Sequence, residues 1–264
     1  MDIQELRKVP HLSASGTSAY IECGLLFKLS RIDKVEPGGR ADALELGSVI
    51  HEALAEFHQE RMIGITPSLE ELLEVFETLW REAAEESDEI EYAEGKDFGT
   101  LLEMGKGLLK AYYEKVSNDF KVLAIEEPFR FEVEGVPIIG VIDLIEEDPN
   151  GAIIIVDFKT SSKAYAAADV DKNLQLTVYS LAMKANGFAD REILLRLDVL
   201  IKTKKPKFEQ YWTTRTETDE RRAKRKIVEV WKGISQGVFV PNDTTWKCGY
   251  CGYKSYCDEW FEAE

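Results

Sequence analysis

The chain has 264 residues, 44% of them hydrophobic and 31% charged, and a formal net charge of -16. That is close to the upper size for one hydrophobic core, and the composition is that of a globular protein. No run approaches the roughly 18 consecutive apolar residues of a membrane-spanning helix, and the acidic balance argues against a protein that only adheres non-specifically to nucleic acid. The first residues, Met1-Asp-Ile-Gln-Glu-Leu-Arg-Lys, hold no apolar signal core, so a cytoplasmic setting is expected and secretion is not.

Leu12-Ser-Ala-Ser-Gly-Thr-Ser-Ala-Tyr-Ile-Glu-Cys reads as a short helix capped by Ser13 or Ser15. A second helix is expected over about 43–61, where Leu46, Ile50, Leu54 and Phe57 recur on one face. Pro67-Ser68 opens an acidic helix running to about Ser87, and another helix follows over about 100–116. The first 118 residues should therefore be mainly helical. Strand patterns then occupy 122–133, 136–145 and, after the turn Asp148-Pro-Asn-Gly, 152–158. The Ile-Ile-Ile-Val run in the third suits a strand buried on both faces. A helix over about 171–185, strands over 193–201 and 208–214, and a long basic helix over about 217–236 complete the pattern. The β-β-β-α-β order implies an α/β core with a mixed sheet.

Charge is unevenly spread. Residues 70–103 hold 13 acidic side chains against two basic ones, whereas residues 196–232 hold 12 basic against six acidic. The basic stretch includes Lys204, Lys205 and Lys207 between two expected strands, and Arg221, Arg222 and Arg225 early in the last helix. Each stretch can be an ordinary solvated face. In a functional reading, a polyanionic ligand follows the basic third, and the acidic helices dock a basic protein partner or repel that ligand from the wrong face.

The four cysteines are Cys23, Cys248, Cys251 and Cys257, the last three spaced C-x2-C-x5-C. In a cytosolic chain this directs attention to metal or cluster ligation rather than disulfides. Four thiolates can hold zinc or a 4Fe-4S cluster, and zinc is the commoner occupant on chemistry alone. Linking Cys23 to Cys248 closes a loop of about 225 residues; the chain-entropy model, written for a disulfide, gives such a link roughly 5 kcal/mol.

Asp143 ends one apolar run, Gly140-Val-Ile-Asp, and Asp157 and Lys159 end the next, Ile155-Val-Asp-Phe-Lys. Residues two apart on a strand share a face. Two carboxylates on neighbouring strands make a hard oxygen site suited to Mg2+ or Mn2+, which would lower the pKa of a water and polarise a phosphoryl oxygen. The bland alternative is an Asp157–Lys159 ion pair at a strand end. His51 lies beside the apolar stripe of its helix, flanked at i-4 and i+4 by Gly47 and Ala55, and could approach a metal or be an ordinary core or surface histidine. Gln175 and Tyr179 adjoin the stripe of Leu174, Val178 and Leu181, where they could line a cleft or face solvent.

Together, His51, Gly140-Val-Ile-Asp143, Asp157-Phe-Lys159 and Gln175-x3-Tyr179, in that order, resemble the RecB-type branch of the PD-(D/E)XK nuclease superfamily. This branch includes the RecB and AddB nuclease domains and the CRISPR-associated Cas-four exonucleases. The resemblance implies that His51, Asp143 and Asp157 ligate a catalytic metal, that Lys159 assists the attacking water, and that Gln175 and Tyr179 support the site and the DNA backbone. It extends to both ends: Tyr20-Ile-Glu-Cys23 and Cys248-Gly-Tyr-Cys251-x5-Cys257 are similar to the iron–sulfur subgroup, which favours a structural 4Fe-4S cluster over zinc. Gly24 stands where that subgroup commonly has proline. The implied architecture is one restriction-endonuclease-like unit over 1–264: a mainly helical 1–118, a nuclease core over 119–240 with a central mixed sheet flanked by helices, and 241–264 packing its cysteines with Cys23. The implied activity is a metal-dependent DNA exonuclease acting on single strands or ends, in recombination, repair or mobile-element processing. A non-catalytic DNA-binding scaffold would not need Asp143, Asp157 and Lys159 intact, and a two-carboxylate glycosidase would not need the lysine.

Overall fold

A computed structural model describes residues 2–37, 40–86 and 90–262. The amino-terminal part supplies α1 (Ile3–Leu6), α2 (Ala14–Glu22), α3 (Gly24–Phe27), α4 (Asp42–Met62), α5 (Leu69–Glu86) and α6 (Phe98–Tyr113). Two residues of β1 (Arg40–Ala41) pair in parallel with β2 (Ile90–Glu91). The main sheet has five strands in spatial order, β3 (Lys121–Val133), β4 (Val136–Glu147), β5 (Ile153–Ser161), β6 (Ile193–Ile201) and β7 (Lys207–Thr213). Helices α7 (Ala167–Asp171) and α8 (Leu174–Met183) connect β5 to β6, which run parallel; all other neighbours are antiparallel. After β7 come α9 (Glu217–Ser235), a 3-10 turn over Trp246–Tyr250, and α10 (Lys254–Glu262). This is the expected mixed sheet flanked by helices.

The apolar run of β5 is explained by cover on both faces. Ile153 and Ile155 belong to one core with residues of α8 and α9, whereas Ile154, Val156 and Phe158 belong to a second core with residues of α4, α5 and α6. The stripe Leu46, Ile50, Leu54 and Phe57 puts α4 on this second face, none of the four being more than 3% exposed.

Local side chains set several boundaries. Ser13 caps α2 by accepting from the Gly16 amide at 3.0 Å, and Asp97 starts α6 two residues before the expected position by accepting from Thr100 N at 2.7 Å. The single helix expected over 171–185 is two: Asn173 accepts from the Leu176 amide at 3.0 Å and caps α8 afresh after α7. The expected end of the acidic helix, Ser87, lies outside the described residues. Helix α10, absent from the expected elements, carries Cys257, the last cysteine of the spacing.

One feature of the sheet creates the site. β4 pairs with β3 from end to end, but its ladder with β5 covers only Leu144↔Val156 through Glu147↔Ile153. Beyond Leu144 and Val156 the strands part. On the β4 edge so exposed, Leu12 takes up the backbone groups, donating to Pro137 O and accepting from Ile139 N, both at 2.9 Å. The open fork lies between β4, β5 and the segment leading into α2.

Candidate active site

The register places Asp143 and Asp157 one step beyond the last β4–β5 pair, where the fork begins. An amide at such a parting loses its ladder partner. Here Phe158 N donates to Asp143 Oδ2 at 2.8 Å, so the carboxylate replaces the missing carbonyl and is fixed in position. Asp157 is 1% exposed, with the Lys159 ammonium 2.5 Å from its Oδ2. That contact is poorly directed, and neither Asp157 oxygen receives a well-aligned hydrogen bond. A buried carboxylate lacking such bonds is costly unless a cation completes it.

His51 enters from α4 with Nδ1 3.5 Å from Asp143 Oδ2, its ring edge-on to Phe158. Gly47, Ser48, His51, Glu52 and Ala55 line a pocket of about 570 Å³ with Asp143 and Glu126, so the small-residue face of α4 opens onto the acids. From the other side α8 presents Gln175 and Tyr179, joined by a 2.7 Å hydrogen bond from Nε2 to the phenol oxygen. Tyr179 is 3% exposed and is core, not solvated face. Both residues and Asp143 line one groove.

The electrostatics fit a cation site. Burial, with the Asp143 charge adding to it, outweighs Lys159 and raises Asp157 to about 6. Burial raises Asp143 as well, against the Phe158 amide and Lys159. Burial and then the Lys159 charge lower His51, keeping the imidazole neutral and able to ligate. For Lys159 burial opposes the charge, but Asp157 and Asp143 overcome it and hold the ammonium above its usual range. Glu126, which the sequence pattern did not single out, lines the same pocket from β3, its backbone in the left-handed region at a φ of 47 degrees. Desolvation and then Asp143 push Glu126 up to about 7. Its only sequence signal was an acidic residue in an alternating strand, which surface strands share.

Among the described residues, no three His, Cys, Asp or Glu side chains are drawn together tightly enough to hold a metal ion as they stand. The donor chemistry nevertheless fits one: two carboxylates and a neutral imidazole, with one buried carboxylate lacking aligned hydrogen bonds.

A sheet whose strands part around two acids, with a lysine two residues past the second and helices on both faces, defines a restriction-endonuclease-like core. The profile of the PD-(D/E)XK nuclease superfamily matches residues 11–258, and the chain belongs to that superfamily. Asp157-Phe158-Lys159 reads as the (D/E)XK element of that name, while Ile142 stands before Asp143 where the name has proline. A solved structure from Eubacterium rectale, described as a "putative exonuclease", is similar in fold: TM-score 0.58, 12% identity, covering 94% of this chain and 90% of that one. Another, described as SSO0001, has 16% identity and a TM-score of 0.38 over 89% of this chain and 92% of that one. No curated protein matches the sequence.

The remaining residues singled out in the sequence fall into two groups. Cys23 ends α2 and caps α3, its Sγ accepting from Leu26 N and Asn242 N at 3.4 Å each. Cys248 Sγ donates to Asn242 O at 3.3 Å, and Asn242 Nδ2 donates to Glu22 O at 2.8 Å. Burial, followed by the charges of Cys23, Asp258, Cys251 and Cys248, raises Cys257. The four thiols thus share one corner joining both ends of the chain. Gly24 is required there: a Cβ would come within 2.8 Å of Val240 N. By contrast, Lys204 and Lys205 lie in the β6–β7 turn with Lys207 opening β7, and Arg222 lines a separate pocket with Trp212 and Asp219. Arg221 donates to Thr218 and Arg225 pairs with Glu229 on the outside of α9. None of these six lines the pocket or groove at Asp143.

Proposed function

We propose that the protein is a divalent-metal-dependent deoxyribonuclease, an exonuclease acting on single-stranded DNA or DNA ends. The observation that carries this is the buried Asp157 carboxylate, without aligned hydrogen bonds, across the fork from Asp143 and beside Lys159. The exonuclease description of the Eubacterium rectale structure supports the same reading. His51, Asp143 and Asp157 would hold Mg2+ or Mn2+. A bound cation of this kind supplies a more acidic water and a polarised phosphoryl oxygen.

The protein's own groups supply the rest. Water attacks phosphorus and forms the new P–O bond, releasing a proton to solvent; the P–O bond to the departing oxygen breaks, and that oxygen takes up a proton from solvent. Lys159 is held as an ammonium, so it cannot remove the proton from water; it orients the water through its lone pair and neutralises charge building on phosphorus. Gln175 and Tyr179 brace the strand from α8, the phenol staying protonated because burial and the two acids raise its pKa. Lys204, Lys205, Lys207, Arg221, Arg222 and Arg225 would meet phosphates outside the cleft, on the strength of the positive balance over 196–232. Cys23, Cys248, Cys251 and Cys257 would hold a structural 4Fe-4S cluster, with zinc as the alternative; the two amides directed at Cys23 Sγ suit a thiolate ligand. We read 1–264 as one nuclease unit working in the cytoplasm in recombination, repair or mobile-element processing, with the acidic helices available to a protein partner.

The deciding experiment is incubation of end-labelled single- and double-stranded DNA with the protein, with and without Mn2+, beside Asp157→Ala. Metal-dependent release of nucleotides from ends by the wild type alone supports the reading. No cleavage by cluster-loaded protein across several metals would make it a DNA-binding scaffold.

A further inference from the structure

The groove that ends at Asp143, Gln175 and Tyr179 is the larger of the two openings at the site, about 710 Å³, and it leads away from the acids along the amino-terminal segments. Its wall reverses the charge of the molecule. The chain carries 49 acidic residues against 33 lysines and arginines, yet the fully charged side chains on this groove are Arg7, Arg31, Lys34 and, at its inner end, Asp143. The three cations are exposed, and none forms an ion pair within the described residues, although neighbouring Lys8 and Lys28 pair with Glu5 and Asp33. An aromatic side chain, Trp231 of α9, forms part of the same wall and is half-buried.

We propose that this groove is the path of the substrate strand: Arg7, Arg31 and Lys34 bind successive phosphates of single-stranded DNA and deliver the scissile phosphate to Asp143 and Asp157. The inference rests on the nuclease reading above and adds the residues that guide the strand. Unpaired cations beside an aromatic face are the combination that holds a single strand without reading its sequence. The path also explains the Leu12 pairing with β4: it fixes the Arg7 segment beside the fork.

The test is a salt titration of binding to a fluorescein-labelled 20-mer of oligo-dT, read by anisotropy in EDTA so that no cleavage occurs. Each phosphate of a single strand that is no longer neutralised reduces the log–log salt slope by about 0.7, so Arg7→Ala/Arg31→Ala/Lys34→Ala should flatten it by up to about 2 and weaken binding up to about 100-fold at low salt. Arg81→Ala/Lys106→Ala/Lys110→Ala, which removes three cations from α5 and α6, should leave the slope unchanged. All six side chains lie outside the buried core, and Arg7→Gln/Arg31→Gln/Lys34→Gln, with unaltered melting temperature, repeats the measurement at conserved size. An unchanged slope for the groove variants, in a protein that still cleaves end-labelled DNA with Mn2+, overturns the path alone. A wild type that neither binds nor cleaves overturns the path together with the nuclease reading.

Discussion

Asp157 and Lys159 form a structural ion pair to which the proposed nuclease reading adds a chemical role. Their 2.5 Å contact satisfies the bland reading of an ion pair, but the poor alignment at Asp157 and its raised pKa show a carboxylate held at a cost. Asp157→Ala should abolish cleavage and the thermal shift produced by Mn2+. Lys159→Ala should keep that shift and lose about 10²–10³-fold in rate, the usual contribution of a transition-state charge partner; a rate within about threefold of wild type in single-turnover assays would contradict the assignment. The pH dependence has a definite sign. In the metal-free protein the folded Asp157 value of about 6 lies above the ordinary 3.8, so its contribution to stability is full below the ordinary value and is lost as pH rises through about 6. A cation needs the ionised carboxylate and must displace its proton below that point. Mn2+ should therefore raise the melting temperature more at pH 7 than at pH 5, measured by scanning fluorimetry against EDTA controls. Equal shifts would place the metal elsewhere.

At the scale of the element, α4 carries the histidine and is itself held by a buried polar network. His58, two turns after His51, contacts the Tyr112 hydroxyl at 2.7 Å through Nε2, and Arg61 donates to its Nδ1 at 3.1 Å. Since arginine can only donate, His58 is neutral with its proton on Nε2, consistent with a pKa driven down by burial and by Arg61. Arg196 joins Glu146 at 2.9 Å and Asp198 at 2.8 Å beneath this helix, so α4 rests on paired charges as well as on apolar contact. The acidic α5 docks on α6 through a close approach at Gly105, where an added Cβ would sit 2.0 Å from the Phe76 ring, itself fully buried. Gly105→Ala should cost about 1–3 kcal/mol in urea unfolding, as overpacking does, despite the helix propensity it gains. A neutral or stabilising result would mean that the α5–α6 contact yields freely.

For the whole molecule, the cysteine corner ties α2 to the carboxyl-terminal segment. Protein purified without oxygen should be brown, and Cys23→Ser or a serine at any of Cys248, Cys251 and Cys257 should bleach it and lower the melting temperature. A colourless protein with one stoichiometric zinc would replace the cluster with the simpler ion. The acidic stretch over 70–103 and the basic stretch over 196–232 make a separate prediction. Lys204→Ala/Lys205→Ala/Lys207→Ala should flatten the salt slope of single-strand binding by up to about 2 if the β6–β7 turn carries DNA outside the cleft. An unchanged slope would leave that turn as solvated surface.

Periodicity and spacing alone determined the strands, α4, α9 and the mixed sheet, because the burial of Leu46, Ile50, Leu54 and Phe57 and of Ile153 through Val156 leaves a repeat that local physics can read. The order of His51, Asp143, Asp157, Lys159, Gln175 and Tyr179, through its resemblance to a known family, singled out residues that the fold brings to one fork. What tertiary structure decided was where the β4–β5 ladder stops, since a register is set by pairing partners far apart in sequence. That parting turns two strand-end acids into a fork and directs Phe158 N onto Asp143. It also decided that Glu126 faces the acids and that Arg7, Arg31 and Lys34 share a wall with Tyr179. Scattered singly through exposed segments, these side chains have no periodic signature; the fold alone brings them together, with the pairing of Leu12 to β4 holding the segment next to Arg7.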